Sequence, residues 1–420
     1  MKEVMDWKKE LRAKVLDRID YGREMTDQEV EDIIDEVMLR EEAMQVCSVR
    51  IKQRIRKELF DSLRRLDILQ LFVEDPSITE IMINGREHIF VEREGVLEEL
   101  DMQFESQEKL KNVIQQIVAG CNRTVNEASP IVDARLSDGA RVNVVMNPVA
   151  LNGPAVTIRR FPRKPITMEE LERRQSVSRE AALFLQMLVQ AKYNIFISGG
   201  TGSGKTTLLN VLSGYIPVTE RVITIEDNAE LQLQGIRNLV RLEVRNQTAE
   251  GCDMIGIRDL IRTSLRMRPD RIIVGEVRGA EAIDMIQAMN TGHDGSMSTG
   301  HANSAQDMLS RLESMILMGM EIPLQAIRSQ IAAGIDIIVH LGRLRDGSRK
   351  ILEILEMVGC EEGRYRLNPL FRFQENGTHT QGGVQGMLRK EGDLIRDEKL
   401  KRAGLVPQED RCRESGEGLG

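Results

Sequence analysis

The run Gly199-Gly200-Thr201-Gly202-Ser203-Gly204-Lys205-Thr206-Thr207 constrains this chain more than any other stretch, because it must carry an apolar strand into a helix. Residues 193–198 are apolar and β-prone, and a helical pattern begins at Lys205. The spacing is that of G-x-x-x-x-G-K-[ST], in which glycines let backbone N–H groups curl around phosphates. The helix N-terminus adds its dipole, Lys205 reaches the β and γ oxygens, and Thr206 offers a hydroxyl to Mg2+. An ordinary glycine-rich turn is the bland alternative, but residue frequencies put a chance match at only about 2%. The expected ligands are ATP and Mg2+, with Gly199, Gly200, Thr201, Gly202, Ser203, Gly204, Lys205, Thr206 and Thr207 as the cradle.

The surrounding rhythm supports that placement. Strand-like runs at 221–225, 239–244, 271–276 and 335–341 alternate with helical segments, as in a mostly parallel sheet covered on both faces. Upstream, residues 67–160 read as a compact α+β domain: short strands near 79–84, 88–92, 96–104, 131–136, 140–145 and 155–160, with one helix capped by Ser106. Turn residues Asn84-Gly85, Glu94-Gly95 and Ser137-Asp138-Gly139 separate those strands. Residues 1–66 read as a helical extension, with a capping box at Thr26-Asp27-Gln28-Glu29. The two prolines of 161–166 mark a linker, 167–373 a motor domain, and 374–420 a glycine-rich, partly disordered tail.

Two folded domains suit 420 residues, and 41% hydrophobic with 30% charged residues suits a globular protein. A net charge of -8 gives no global attraction to nucleic acid, and none is expected as a partner. Cys47, Cys121, Cys252, Cys360 and Cys412 include no C-x-x-C pair and read as reduced thiols, placing the chain in the cytoplasm. No apolar run approaches the roughly 20 residues needed to span a bilayer, so membrane contact is expected only through a partner.

Turnover also needs a carboxylate near the phosphates. Glu226 follows the apolar strand ending at Ile225, and Glu276 follows Ile272-Ile273-Val274-Gly275, so both should converge on the crevice at the strands' carboxyl ends. Either could be the general base, and both stand with Thr206 as candidate metal residues; Gly275 occupies the place where an aspartate usually holds Mg2+, so coordination rests more on Thr206 and water. A solvated charge at a strand end is the alternative for each. His293 and His301, eight residues apart, lack the neighbours a zinc site wants and are read as phosphate or water contacts, or else as loop histidines. Arg135, Arg141, Arg159 and Arg160 form a basic group in the first domain, suited either to a transferring phosphoryl group or to structural ion pairs.

Together these blocks resemble the type II/type IV secretion traffic ATPases, and most closely the branch that powers tight-adherence (Tad/Flp) pili. The resemblance covers about residues 60 to 400 and rests on an ordered set of blocks. In the first domain they are Thr79-Glu80-Ile81-Met82-Ile83-Asn84-Gly85, the segment 132–143 and Thr157-Ile158-Arg159-Arg160-Phe161. In the motor they are the phosphate loop, the acidic box Ile225-Glu226-Asp227-Asn228-Ala229-Glu230-Leu231, the segment 268–279 and the histidine box closing at His301. The resemblance implies a RecA-like α/β motor preceded by a smaller α+β domain and the N-terminal helices. It also implies a homohexamer whose first domain closes over nucleotide, and an inner-membrane platform protein as partner at the inner face of the cell membrane. Catalytic roles would fall to Lys205, Glu226, Glu276, His301, Arg135 and Arg141, with Arg159, Arg160 and His293 at the nucleotide. Two departures stand out: Gly300, where relatives usually carry a bulky aliphatic, and Ala305, where they often carry proline, so a looser histidine loop is expected. The tetracysteine zinc insertion of some related motors is absent.

Overall fold

The computed structural model describes residues 10–405 except 21, 24, 94–95, 122, 137–138, 161–165, 246–252 and 379–382. The turns expected at Glu94-Gly95 and Ser137-Asp138, the linker at 161–165, Cys252, Cys412 and the end of the tail at 406–420 lie outside the described residues. The chain divides into two compact units between Lys164 and Pro165.

In the first unit the capping box forms: Thr26 Oγ1 accepts the Glu29 N–H, and the Glu29 carboxylate accepts the Thr26 N–H. The helix it starts, Asp27–Arg40, packs Val30, Ile34 and Val37 against Ile55 and Leu59 of helix Val49–Arg64. Six strands follow: β1 (Ile78–Asn84), β2 (His88–Arg93), β3 (Val96–Leu100), β4 (Ile131–Arg135), β5 (Arg141–Val145) and β6 (Ala155–Arg159). They pair antiparallel throughout in the order β3-β2-β1-β6-β5-β4. Alternate residues Ile81, Ile83, Val142, Val144, Val156 and Ile158 meet Leu110, Val113, Ile114 and Ile117 of helix Gln107–Ala119, as period-2 and period-3.6 patterns require. The α+β reading of this region holds.

The second unit carries β7 (Ile195–Gly199), β8 (Arg221–Glu226), β9 (Asn238–Glu243), β10 (Arg271–Val274), β11 (Met297–His301), β12 (Ile337–Arg343), β13 (Arg349–Glu361), β14 (Arg364–Thr378) and β15 (Val384–Lys390). Their order is β15-β14-β13-β12-β7-β11-β10-β8-β9, parallel from β9 to β12 and antiparallel beyond. Along β7, Ile195 and Ile197 face helices Arg179–Gln190 and Lys205–Ser213, while Phe196 faces Ala282–Asn290, Ala305–Gly319 and Leu324–Gly334 on the other side. Helices on both faces of a mostly parallel sheet are the RecA-like architecture expected.

Two expectations fail here. The described residues of 374–405 are not a tail: β14 and β15 extend the sheet, and Leu388 and Leu400 are buried in its core. The buried Glu356 carboxylate takes the N–H groups of Ile395 and Arg396 at 2.9 and 2.6 Å, and the Tyr193 hydroxyl donates to the Arg396 carbonyl. These anchors are distant in sequence, so no local pattern announces them. The histidine box is not a loose loop either, since it supplies the strand β11 between β7 and β10. A Cβ on Gly300 would come within 2.9 Å of Met308 Sδ and Cε, so Met308 already fills the space where a bulky aliphatic was expected.

Candidate functional site

The phosphate loop leaves the end of β7 through three residues of positive φ, Gly199 (155°), Gly202 (68°) and Gly204 (98°), a backbone region that L side chains rarely enter. At Gly199 the demand is steric as well: a Cβ would lie 2.4 Å from the Leu341 carbonyl oxygen. Lys205 then opens helix Lys205–Ser213 and folds back, its Nζ donating to the carbonyls of Gly199 and Gly200 at 3.1 and 2.9 Å. Only 7% of this lysine is exposed, and among the described residues no carboxylate pairs with it. Burial holds its pKa below the ordinary lysine value.

His301 ends β11 opposite Gly199, which brings its Nδ1 within 3.2 Å of Lys205 Nζ. An ammonium only donates, so Nδ1 accepts and the ring proton sits on Nε2, 2.8 Å from Glu276 Oε1. Glu276 is further gripped by Arg278, whose Nε and Nη2 donate at 2.9 and 2.7 Å. Lysine, neutral imidazole, carboxylate and guanidinium therefore form one chain across the carboxyl ends of β7, β11 and β10. Burial lowers the His301 pKa below 6.5, ahead of the opposing pull of Glu276. Protonation would put a second cation against Lys205, so turnover should be level above pH 7 and fall as pH drops through that lowered value. A pH–rate profile checks this; a flat profile down to about pH 5 would remove the neutral imidazole from the mechanism.

Glu226 sits three strand steps from β7, about 14 Å at the usual spacing. Its Oε1 accepts the N–H groups of Glu230 and Leu231 at 2.7 and 2.8 Å, closing the acidic box, while its buried Oε2 has no partner among the described residues. Burial pushes its pKa up. Gly275 makes room for it, since a Cβ there would lie 3.0 Å from Glu226 Cγ. The residue that looked like a missing aspartate is thus the space that Glu226 occupies.

Lys205, His301 and Glu276 are brought together, with Thr206 and Thr207 half-buried in the first helical turn beside them. His293 is not. It precedes the first residue of β11, at the opposite edge of the sheet, where the N–H groups of Gly295 and Ser296 bond Asn194 Oδ1 ahead of β7. Four strand residues rise about 13 Å, which takes His293 out of reach of the phosphate loop. In the first unit Arg135 and Arg141 pair across β4 and β5, and Arg159 bonds Glu80 at 3.3 Å. The Arg160 guanidinium is held by the carbonyls of Phe72, Asp75 and Ile78, a structural employment within its own unit. Sequence reasoning singled out neither Arg278 nor His340. Arg278 follows Glu276 by two, the same-face spacing of an extended chain, and was legible. His340 lies outside every motif named above, and its Nδ1 meets the Ser198 hydroxyl at 2.8 Å beneath the loop.

A Mg2+-nucleotide fits what these residues present. Among the described residues the buried ammonium has no carboxylate partner, Ser203 Oγ and Glu226 Oε2 are buried without partners, and nothing lies within 4 Å of a Cβ on Gly200. Among the described residues no three acidic, histidine or cysteine side chains gather as a protein-only metal cluster.

The sequence model of the family described as type II/IV secretion system protein matches residues 63–387, well over half of the chain. The conjugal transfer protein TrbB of Rhizobium radiobacter is 31% identical over 79% of this chain and 99% of its own length. The type IV secretion system protein PtlH of Bordetella pertussis is 36% identical over 56% of this chain and 77% of its own. Among solved structures, the ATPase DotB of Legionella pneumophila is similar at a TM-score of 0.50 and 21% identity, over 69% of this chain and 79% of that one. The pilus retraction motor PilT with bound ADP is similar at 0.51 and 18%, over 84% and 90%. At those identities the two structures speak to the fold alone, and they share it. By the span of the family match and the identity to TrbB, the chain belongs to the type II/IV secretion system protein family.

Proposed function

We propose that this chain hydrolyses ATP to ADP and phosphate and is the motor of a secretion or pilus-assembly machine. The observation that carries the reading is the buried Lys205 ammonium, held by carbonyls alone and linked through neutral His301 to Glu276. When phosphate arrives, Lys205 exchanges two carbonyls for charged oxygens, a stronger charge-assisted bond in a water-poor crevice. Glu276 is the general base: it accepts the proton of the attacking water, while Arg278 grips one carboxylate oxygen and His301 Nε2 lies 2.8 Å from the other, which keeps the carboxylate aimed. Glu226 serves the site by shaping the acidic box. Mg2+ would be held by the Thr206 hydroxyl and, through water, by Glu276 and Glu226, and would neutralise phosphate charge.

The family and the printed names of TrbB and PtlH support the secretion side of this reading. The finer reading is a homohexamer that drives Tad/Flp-type pilus biogenesis or type II/IV-like secretion through an inner-membrane platform protein, at the inner face of the membrane. Among the described residues no helix is long and apolar enough to cross a membrane, which fits contact through a partner. In the assembled ring Arg135 and Arg141 supply cations to bound nucleotide.

The test is phosphate release from Mg2+-ATP by the whole chain, with native mass measured alongside. Release should accompany a six-copy assembly, and Arg135→Ala should lower it about tenfold or more, some 1.4 kcal/mol of barrier. No release from the whole chain sinks the ATPase reading, a fully active monomer sinks the ring, and unchanged turnover in Arg135→Ala removes only the arginine's role.

A further inference from the structure

The antiparallel hairpin of β12 and β13 is jammed against the phosphate loop. Leu341 pairs with Gly199, and its carbonyl leaves no room there for even a methyl group. Gly342 pairs with Lys350 and Arg343 with Arg349, so the hairpin continues past the end of β7 alongside the loop. Three arginines ride on it. Arg345 is committed to Glu375, and the Arg343 guanidinium lies over Gly347 of the turn, 3.6 Å from where a Cβ would stand. Arg349 differs from both. A Cβ on Gly204 would lie 3.8 Å from Arg349 Cδ, and among the described residues its exposed guanidinium has no ion pair or hydrogen bond.

Sheet order says which part of a nucleotide this cation would meet. Glu276 follows β10 and Glu226 ends β8, both on one side of β7, whereas β12 and β13 flank it on the other. The phosphate that is transferred must lie on the carboxylate side, next to His301 and Lys205. Arg349 therefore stands beside the far end of the polyphosphate. We propose that Arg349 is a nucleotide-binding residue whose guanidinium grips the phosphate adjoining the sugar, an inference that rests on the ATPase reading above. Arginine suits that task because its planar fork matches phosphate oxygens two at a time and never loses its charge. A contact at that phosphate is made equally in ground state and transition state, and it is present in ADP as much as in ATP. It adds affinity without adding rate.

The experiment measures Kd for Mg2+-ATP and Mg2+-ADP by calorimetry, together with kcat, KM and melting temperature, in wild type, Arg349→Ala and Arg349→Lys. The Arg349 backbone carbonyl accepts from Ser176 Oγ, a bond that both variants keep. The expected result is a rise of about tenfold in both Kd values and in KM for Arg349→Ala, with kcat within about twofold, Arg349→Lys intermediate and melting unchanged. Unchanged Kd values in a variant whose parent binds nucleotide would overturn this inference alone. A loss confined to ATP would place the guanidinium at the terminal phosphate and overturn it too, as would lowered melting accompanied by a fall in kcat without a change in Kd. A wild-type chain that binds neither nucleotide would overturn the ATPase reading itself.

Discussion

Lys205→Ala reduces phosphate release by at least about a thousandfold, roughly 4 kcal/mol of transition-state stabilisation. The ammonium is the cation closest to where negative charge must spread, and its environment is built to turn it over to a ligand rather than to satisfy it at home. It is buried, bonded to two carbonyls and one neutral ring nitrogen, and unpaired with any described carboxylate. Removing it therefore strands no buried counter-charge, and the carbonyls of Gly199 and Gly200 become reachable by water. Melting temperature should stay within a few degrees of wild type, which separates lost chemistry from lost folding. Phosphate release within tenfold of wild type would remove Lys205 from the phosphate grip.

Glu276→Gln produces the opposite combination, with nucleotide binding kept and hydrolysis lost by about 10²- to 10⁴-fold. Glutamine has the same shape and keeps a polar group in the place of Glu276 Oε1, 2.8 Å from His301 Nε2, so the contact of His301 with Lys205 survives. What goes is basicity, and with it one negative charge facing the phosphates, so the Kd for ATP should hold or tighten. A single-turnover assay with ATP prebound reads the chemical step directly. Hydrolysis within threefold of wild type would reduce Glu276 to an anchor for His301 and Arg278, and would return Glu226 to candidacy as the base.

The two variants probe one chain of contacts, yet its members differed in how far they could be read from the sequence. Lys205 was legible because the glycine spacing encodes backbone angles that other residues resist, and positive φ at Gly202 and Gly204 is the geometry that spacing needs. Glu276 was legible as the polar end of an apolar strand. That Glu276 rather than Glu226 is linked to the lysine through His301 was not, since the choice depends on β11 lying between β7 and β10 while β8 lies one strand further out.

Local rules written in the sequence determined the elements themselves: the capped helices at Thr26, Ser106 and Ser178, the antiparallel strands of the first unit, and the strand–loop–helix that holds phosphate. Those signals act over a few residues, through period, caps and permitted φ. Only the tertiary structure decided matters that join distant residues or two ends of one strand. His293 and His301 sit close in the chain, but a five-residue strand carries them to opposite edges of the sheet. Residues 384–402 look like a solvated tail until Glu356, Tyr193 and the core around Leu388 and Leu400 claim them. Gly275 and Gly300 read as departures from a pattern until Glu226 and Met308 are seen filling the volume that their side chains would take. Close packing sets such choices, and a volume shared by residues far apart in the chain has no representation in either local stretch.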